Sequence, residues 1–336
     1  MKKLFDSLEG GSVERQNKKK TTVMLIYATI VLIAVLLSVL LISTIVASIK
    51  ARKAADEDVG DGGAGTANAG YVATDVDTKL IHSGSLVLVN ADNEYIFADN
   101  PDVVPFPTKD RVYGLRNEQS LKANPTALEA FGTLMDATYA AIPDARIVVM
   151  TAYRSADDQT ALDNGTPAGH SDFHTGMSFE LKDNTNNVYR YINDKELEGK
   201  YDWLYENAHK YGFIVRYPDN IPADSDSKNA GKDFVAITGV PDFAYVLRYV
   251  GVAHATYIYN NELCLEEYLE LLKESHTYGS SLGIKGSDGK SYEVYYTTAD
   301  DAGQIQVPAK YAYEISGDNE SGYIVAVNKS KTVKNT

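Results

Sequence analysis

Residues 21–49 carry no charged side chain and are mostly Val, Ile, Leu and Ala. As a helix rising ~1.5 Å per residue, this run reaches roughly 40 Å, enough to cross a bilayer with some tilt. It is longer than the apolar core of a cleaved leader, and Ala47-Ser48-Ile49 is a poor cleavage signal. The run therefore predicts one uncleaved transmembrane helix. Lys2, Lys3, Arg15, Lys18, Lys19 and Lys20 precede it, a cluster expected to stay in the cytoplasm. The expected topology is single-pass in the cell membrane. Residues 1–20 are then a cytoplasmic basic segment, 21–49 the span, and the rest an extracytoplasmic chain.

Charge is distributed unevenly. Totals of 32 Lys/Arg and 46 Asp/Glu fall as nine and three before residue 54, leaving 23 basic and 43 acidic residues beyond it. A domain this acidic repels nucleic acid. No Gly-rich phosphate loop with a following Lys is present. Cys264 is the only cysteine, so an intrachain disulfide is excluded, and its apolar surroundings predict a small buried side chain.

Residues 50–70 are rich in Ala, Gly and Asp and read as a flexible linker. From Tyr71 the pattern is mixed. Ser85–Val89 predicts an early strand. Asn124-Pro125 opens a helix carrying Leu128, Phe131, Leu134, Met135 and Tyr139 at helical spacing. Ile147–Met150 predicts a buried strand, and a short polar helix follows Ser155. Met177, Phe179 and Leu181 alternate with polar residues as in a half-buried strand. A helix through Trp203 and His209 stops at Gly212, and strands follow at 213–217 and 245–250. Residues 263–275 predict a further helix, with His209 and Cys264 in structural roles. The last sixty residues predict short strands separated by turns. The division expected is a domain over 71–276 and a C-terminal β segment over 277–336 packed on it. Strands and helices without βαβ regularity indicate an α+β class.

Four segments then carry a resemblance. They are Ala152-Tyr153-Arg154-Ser155 with Gln159, the run Gly169 to Glu180, Tyr211 to Pro218, and Thr238-Gly239 through Arg248-Tyr249-Val250-Gly251 with Leu265–Leu269. In this order the chain resembles the zinc D-alanyl-D-alanine carboxypeptidases of the VanY type. The resemblance implies an antiparallel sheet with flanking helices, in the VanY/hedgehog-like DD-peptidase fold, plus a small C-terminal β appendage. It also implies a site. Family members hold zinc through S-x-H-x-x-G-x-A-x-D and E-P-W-H-x-R-Y-V-G motifs. Laid on Ser171 and Gly176, the first puts Phe173 at the His position and Glu180 at the Asp position. Laid on Arg248–Gly251, the second puts Phe243 at the general base, Tyr245 at the Trp and Val246 at the second His.

Phe and Val donate nothing to zinc, and Phe243 accepts no proton. The expectation is therefore a degenerate member with no metal and no catalytic residue, the family zinc being lost. Arg154, Gln159, Ser171 and Tyr245 match substrate-contacting positions and are expected substrate-binding residues. Arg154 suits a carboxylate through its fork, or else pairs with Glu180. Phe173, Phe243 and Val246 are expected to pack into the vacated space. The residues from Asp219 to Ile237 form a longer loop than the family places there and are expected to be a solvated flap. The function expected is a membrane-anchored domain that binds a peptidoglycan stem peptide or an envelope protein. The alternative is an active carboxypeptidase trimming stem peptides with a rebuilt metal site, for which His170 and His174 stand near.

Overall fold

The computed structural model describes residues 70–117 and 120–333. The expected span at 21–49 and linker at 50–70 lie outside the described residues, apart from Gly70. Among the described residues no helix is long and apolar enough to cross a membrane. The fold class is corrected accordingly to the α+β domain alone. The membrane as partner and the single-pass location are not carried forward.

Among the described residues the strands are, in chain order, β1 (Tyr71–Asp75), β2 (Val104–Pro105), β3 (Gly114–Leu115), β4 (Lys122–Ala123), β5 (Ile147–Thr151), β6 (Ser178–Thr185), β7 (Val188–Tyr191), β8 (Phe213–Val215), β9 (Val246–Tyr249), β10 (Leu282–Lys285), β11 (Ser291–Thr297), β12 (Gln304–Pro308), β13 (Tyr311–Gly317) and β14 (Tyr323–Thr332). The central sheet runs β3-β5-β6-β9-β8, with β7 also on β6. It is mixed rather than antiparallel, because β3 pairs parallel with β5 while the other pairs are antiparallel.

The long helix Pro125–Ala141 covers one face of this sheet. Asn124 caps it by accepting from the amides of Thr126 and Ala127, and Pro125 starts it where a missing N–H costs nothing. Its Phe131 stacks on Phe179 of β6, ring centroids 4.4 Å apart and planes within 3°. The helix through Trp203 exists as Asp202–Asn207 followed by a 3-10 turn, Ala208–Tyr211. Gly212 closes it at φ 87°, with Tyr249 and the Gly251 backbone too close for any side chain.

Three further local segments differ from the sequence reading. Ser85–Val89 is not a strand. Leu86, Val87 and Val89 are buried, but their backbone is satisfied by side chains: Arg248 donates to the carbonyls of Ser85 and Val87, Arg216 donates to that of Val89, and the Leu86 amide donates to Ser316 Oγ. An unpredicted helix, Val252–Asn261, precedes the predicted one at Leu265–Ser275. Its Thr, Tyr and Ile are weak helix formers, and burial of Ala253, Ala255 and Ile258 holds it. The loop Asp219–Ile237 is not a free flap. Lys232 Nζ donates to the Glu262 carbonyl at 2.6 Å, Asn229 Nδ2 to the Asn261 carbonyl at 3.0 Å, and Ser227 Oγ to the Glu262 carboxylate at 2.5 Å.

The C-terminal strands form the antiparallel sheet β10-β11-β14-β13, and β12 pairs with β1.

Candidate functional site

Neighbouring strands put three side chains in one row. Thr151 of β5, Glu180 of β6 and Val246 of β9 are register partners, so they emerge on the same face of the sheet. Chain continuing from β5 carries Arg154, and the 3-10 turn Asp172–Thr175, ended by Gly176 at φ 68°, carries Phe173. Glu180 and Val246 are thus register partners, and Phe173 shares an apolar cluster with Val246. Val246 is fully buried and Phe173 nearly so, while Glu180 is half-buried.

Arg154 is held from two sides. Its guanidinium carbon lies 4.8 Å from the centroid of the Phe173 ring. Its Nη1 donates to Gln159 Oε1 at 2.7 Å. Gln159 is itself buried, and its Nε2 donates to Asn164 Oδ1 at 3.0 Å and to the Thr166 carbonyl at 2.8 Å. Gln159 lies on the helix Ala156–Leu162, which Ser155 and Asp158 start with a reciprocal capping box. Burial lowers the Arg154 pKa, while Glu180 and Asp158 act in the opposite sense. The expected Arg154–Glu180 pair is not formed: among the described residues no hydrogen bond or ion pair within 4.0 Å joins them. Ser171 is buried beside the site, and its hydroxyl does not cap the turn that follows.

Aromatic rings gather just before β9. Tyr245 stacks on Tyr191 at 3.7 Å, and Phe243 lies 5.1 Å from Tyr245 and 6.1 Å from Tyr217. Burial raises the Tyr245 hydroxyl pKa first, with Tyr191 and Glu180 adding to the effect. Phe243 is 40% exposed, so it does not pack inward with Phe173 and Val246 as expected.

His174 is committed elsewhere. Its Nε2 accepts from the Gly169 amide at 3.1 Å, so its Nδ1–H donates to the Arg154 carbonyl at 2.7 Å. Burial depresses its pKa and favours this neutral form. His170 Nδ1 lies 2.9 Å from the Asn90 carbonyl. Among the described residues no group of three or more His, Cys, Asp or Glu is placed to hold a metal.

Sequence reasoning missed a buried ionic cluster further along the same strands, where Ser178 pairs with Arg248 as Glu180 pairs with Val246. Asp172 Oδ1 accepts from Arg248 Nη1 at 2.7 Å and from Arg216 Nε at 3.0 Å, and its Oδ2 accepts from Ser178. Arg216 also forks onto Glu266 through Nη1 and Nη2. Both arginines are fully buried, so two guanidiniums meet two carboxylates in the core. Burial alone would raise the Asp172 carboxyl pKa, but Arg248, Arg216 and the Ser178 hydroxyl hold it below the usual carboxylate range. The signal was present in the sequence as two arginines inside the motifs Ile214–Pro218 and Arg248–Gly251.

The fold is that of a vancomycin-resistance D,D-dipeptidase, VanXYg, crystallised with a D-Ala-D-Ala phosphinate analog: the TM-score is 0.62 at 24% identity, over 77% of this chain and 99% of that one. The profile of the family described as VanY: D-alanyl-D-alanine carboxypeptidase matches residues 161–230. A D-alanyl-D-alanine carboxypeptidase of Enterococcus faecium is 28% identical over 273 residues, 78% of this chain and 80% of that one. Another, of Enterococcus faecalis (strain ATCC 700802 / V583), is 44% identical over 73 residues, 22% of each chain. The chain is thus a distant relative of the VanY-type carboxypeptidases, homologous to an enzyme family. The expected membrane-anchored partner-binding domain is corrected to a DD-carboxypeptidase-like domain: the family match and the long Enterococcus faecium match favour the peptidase side of the sequence reading.

Proposed function

We propose that this domain works on the carboxyl end of D-alanyl-D-alanine peptides, the ligand class named for its relatives, with Arg154 taking the terminal carboxylate. The observation that carries the proposal is the state of Arg154. It is half-buried, its one side-chain hydrogen bond among the described residues goes to Gln159, and buried Gln159 fixes its position. Its other N–H groups remain for a planar anion.

The zinc implied by the family does not fit the residues at its place. Phe173 and Val246 have no donor atom, and Glu180 alone supplies one carboxylate where a catalytic site needs three protein ligands. No step is therefore routed through a metal at 173, 180 and 246. The match across 80% of the Enterococcus faecium carboxypeptidase favours a second reading, hydrolysis. That reading requires metal donors other than these three.

One experiment separates them. N-acetyl-L-Lys-D-Ala-D-Ala is titrated into the protein by NMR and, in parallel, incubated with added zinc to measure D-alanine release. The expected result is saturable binding that Arg154→Ala abolishes. A charge-assisted contact contributes roughly 1.5–3 kcal/mol, so affinity will be weak. No saturable binding would overturn the proposal, and chelator-sensitive D-alanine release would establish the second reading.

A further inference from the structure

A cavity of about 250 Å³ lies among the helix Asp202–Asn207 with its 3-10 turn, strand β8, the loop Asp219–Ile237 and the helix Val252–Asn261. Phe213, Phe234, Ile258 and Leu263 give it apolar walls. The loop wall is fixed: Ile221 donates to the Lys232 carbonyl at 2.9 Å and accepts from the Gly231 amide at 3.0 Å. The charged groups of the lining are of one sign. They are the Asp219 and Glu262 carboxylates, and among the described residues no Lys or Arg joins them. Tyr205 and Asp219 also border a larger cavity of about 480 Å³, but Lys195 lines that one and His209 does not.

Two polar atoms of the smaller lining are left over. Tyr205 Oη and His209 Nδ1 are buried, and among the described residues neither has a hydrogen-bond partner. Buried polar atoms without partners are destabilising, and two in one cavity point to a ligand. The His209 ring stacks on Tyr259, centroids 4.0 Å apart. Burial and then Lys210 lower its pKa, with the Glu206 carbonyl acting least and in the opposite sense, so the ring is neutral and Nδ1 can present a lone pair. Burial raises the Tyr205 hydroxyl pKa first, and Asp219 and Asp202 add to it, so the potential at that oxygen is negative.

We propose that this cavity binds a small apolar amine, its hydrocarbon body against Phe213, Phe234 and Ile258 and its ammonium held by Tyr205, His209 and Asp219. An ammonium carries N–H donors and no acceptor, which matches a lining whose spare groups can all accept. Aromatic faces such as Tyr259 add attraction for the cation. A cavity of about 150 Å³ takes benzene, so this one has room for a ring with a short chain.

The test titrates phenethylamine, phenethyl alcohol and hydrocinnamate into the full chain at neutral pH, followed by NMR. The amine is expected to bind saturably, to shift the methyl signals of Ile258 and Leu263, and to bind at least about threefold more tightly than the alcohol, as a charged rather than a neutral hydrogen bond implies. Hydrocinnamate, an anion of similar shape, should not bind. Asp219→Asn is expected to bring amine and alcohol within about twofold of each other, and Tyr205→Phe to weaken both. Without any probe, Tyr205→Phe should raise the urea midpoint, since it removes a buried hydroxyl that has no partner. Equal binding of amine and alcohol, a preference that survives Asp219→Asn, or no saturable binding at all would each overturn the proposal. A lowered midpoint in Tyr205→Phe would do the same, because the hydroxyl would then have its partner within the protein. None of these outcomes bears on the Arg154 reading, since Arg154 does not line the cavity.

Discussion

Asp172 shows how much of this site rests on a single buried carboxylate. It accepts from two fully buried guanidiniums, so replacing it with Asn leaves Arg216 with Glu266 alone and Arg248 with no carboxylate among the described residues. Breaking a buried pair from one side costs about 3–5 kcal/mol. Asp172→Asn should therefore lower the urea midpoint strongly, and an unchanged midpoint would refute the structural role given to the cluster. The pH dependence has a definite sign. Asp172 is held below its ordinary value when folded, so its contribution is complete above about pH 4 and is lost as pH falls further. His254 adds an earlier step. It is buried, bonded to the Tyr268 hydroxyl at 2.7 Å, and burial pushes its pKa down to about 4. The unfolded chain binds this proton near pH 6.5, so stability should fall by about 1.4 kcal/mol per pH unit from 6.5 towards 4. Denaturant unfolding at each pH will show this slope in the unaltered protein and a flatter one in His254→Gln. Equal slopes would show that another group titrates there.

Among the elements, the Asp219–Ile237 loop departs most from its sequence. Nearly all its polar side chains suggested exposure, yet Ser227, Asn229 and Lys232 converge on Glu262 and on the carbonyls ending the helix Val252–Asn261. Those carbonyls lack intrahelical partners, and the loop supplies the donors. Glu262→Ala removes the carboxylate shared by Ser227 and Asn229. Amide exchange over residues 221–232 should then quicken by about tenfold or more, the loss of two hydrogen bonds at ~1 kcal/mol each, while the central strands keep their protection. Unchanged exchange would mean that the bonds from Lys228, Asn229 and Lys232 to the backbone carbonyls pin the loop. This element marks the limit of legibility. The long helix, β5, β6 and the strands β11–β14 were readable because cap, period and alternation are local. Ser85–Val89 was not, because its hydrogen-bond partners are guanidiniums more than 120 residues away. The same holds at the site: Arg154 and Gln159 stood out as a close pair, whereas Asp172 occupies a variable motif position and gains its role from residues 44 and 76 positions further on.

At the scale of the described domain, the C-terminal sheet is joined to the site-bearing sheet by shared core. One apolar cluster contains Leu86, Ile214, Val250, Ile258 and Tyr268 together with Leu282, Ile284, Val294, Tyr296 and Ile324. Strand β1, near the start of the described chain, pairs with β12 near its end. Gly317 closes a further contact, since a Cβ there would lie 1.9 Å from the Ile81 carbonyl oxygen. Fully burying one large apolar side chain is worth about 1.5–3 kcal/mol, and whole domains are stable by only about 5–15 kcal/mol. Losing the five C-terminal members of the cluster therefore removes an amount comparable to the entire stability, and bares Tyr268 and Ile258 besides. A chain ending at residue 276 should lack a cooperative thermal transition. The longer chain should show one transition over residues 70–333, with fluorescence from Trp203 and far-ultraviolet dichroism changing together. Gly317→Ala tests the same coupling without truncation: a methyl group in the far sheet should lower the midpoint reported by Trp203 beside the site-bearing sheet. A 71–276 fragment that melts cooperatively at the original midpoint, or a Gly317→Ala chain in which the Trp203 signal does not move, would show that the two sheets are stabilised independently.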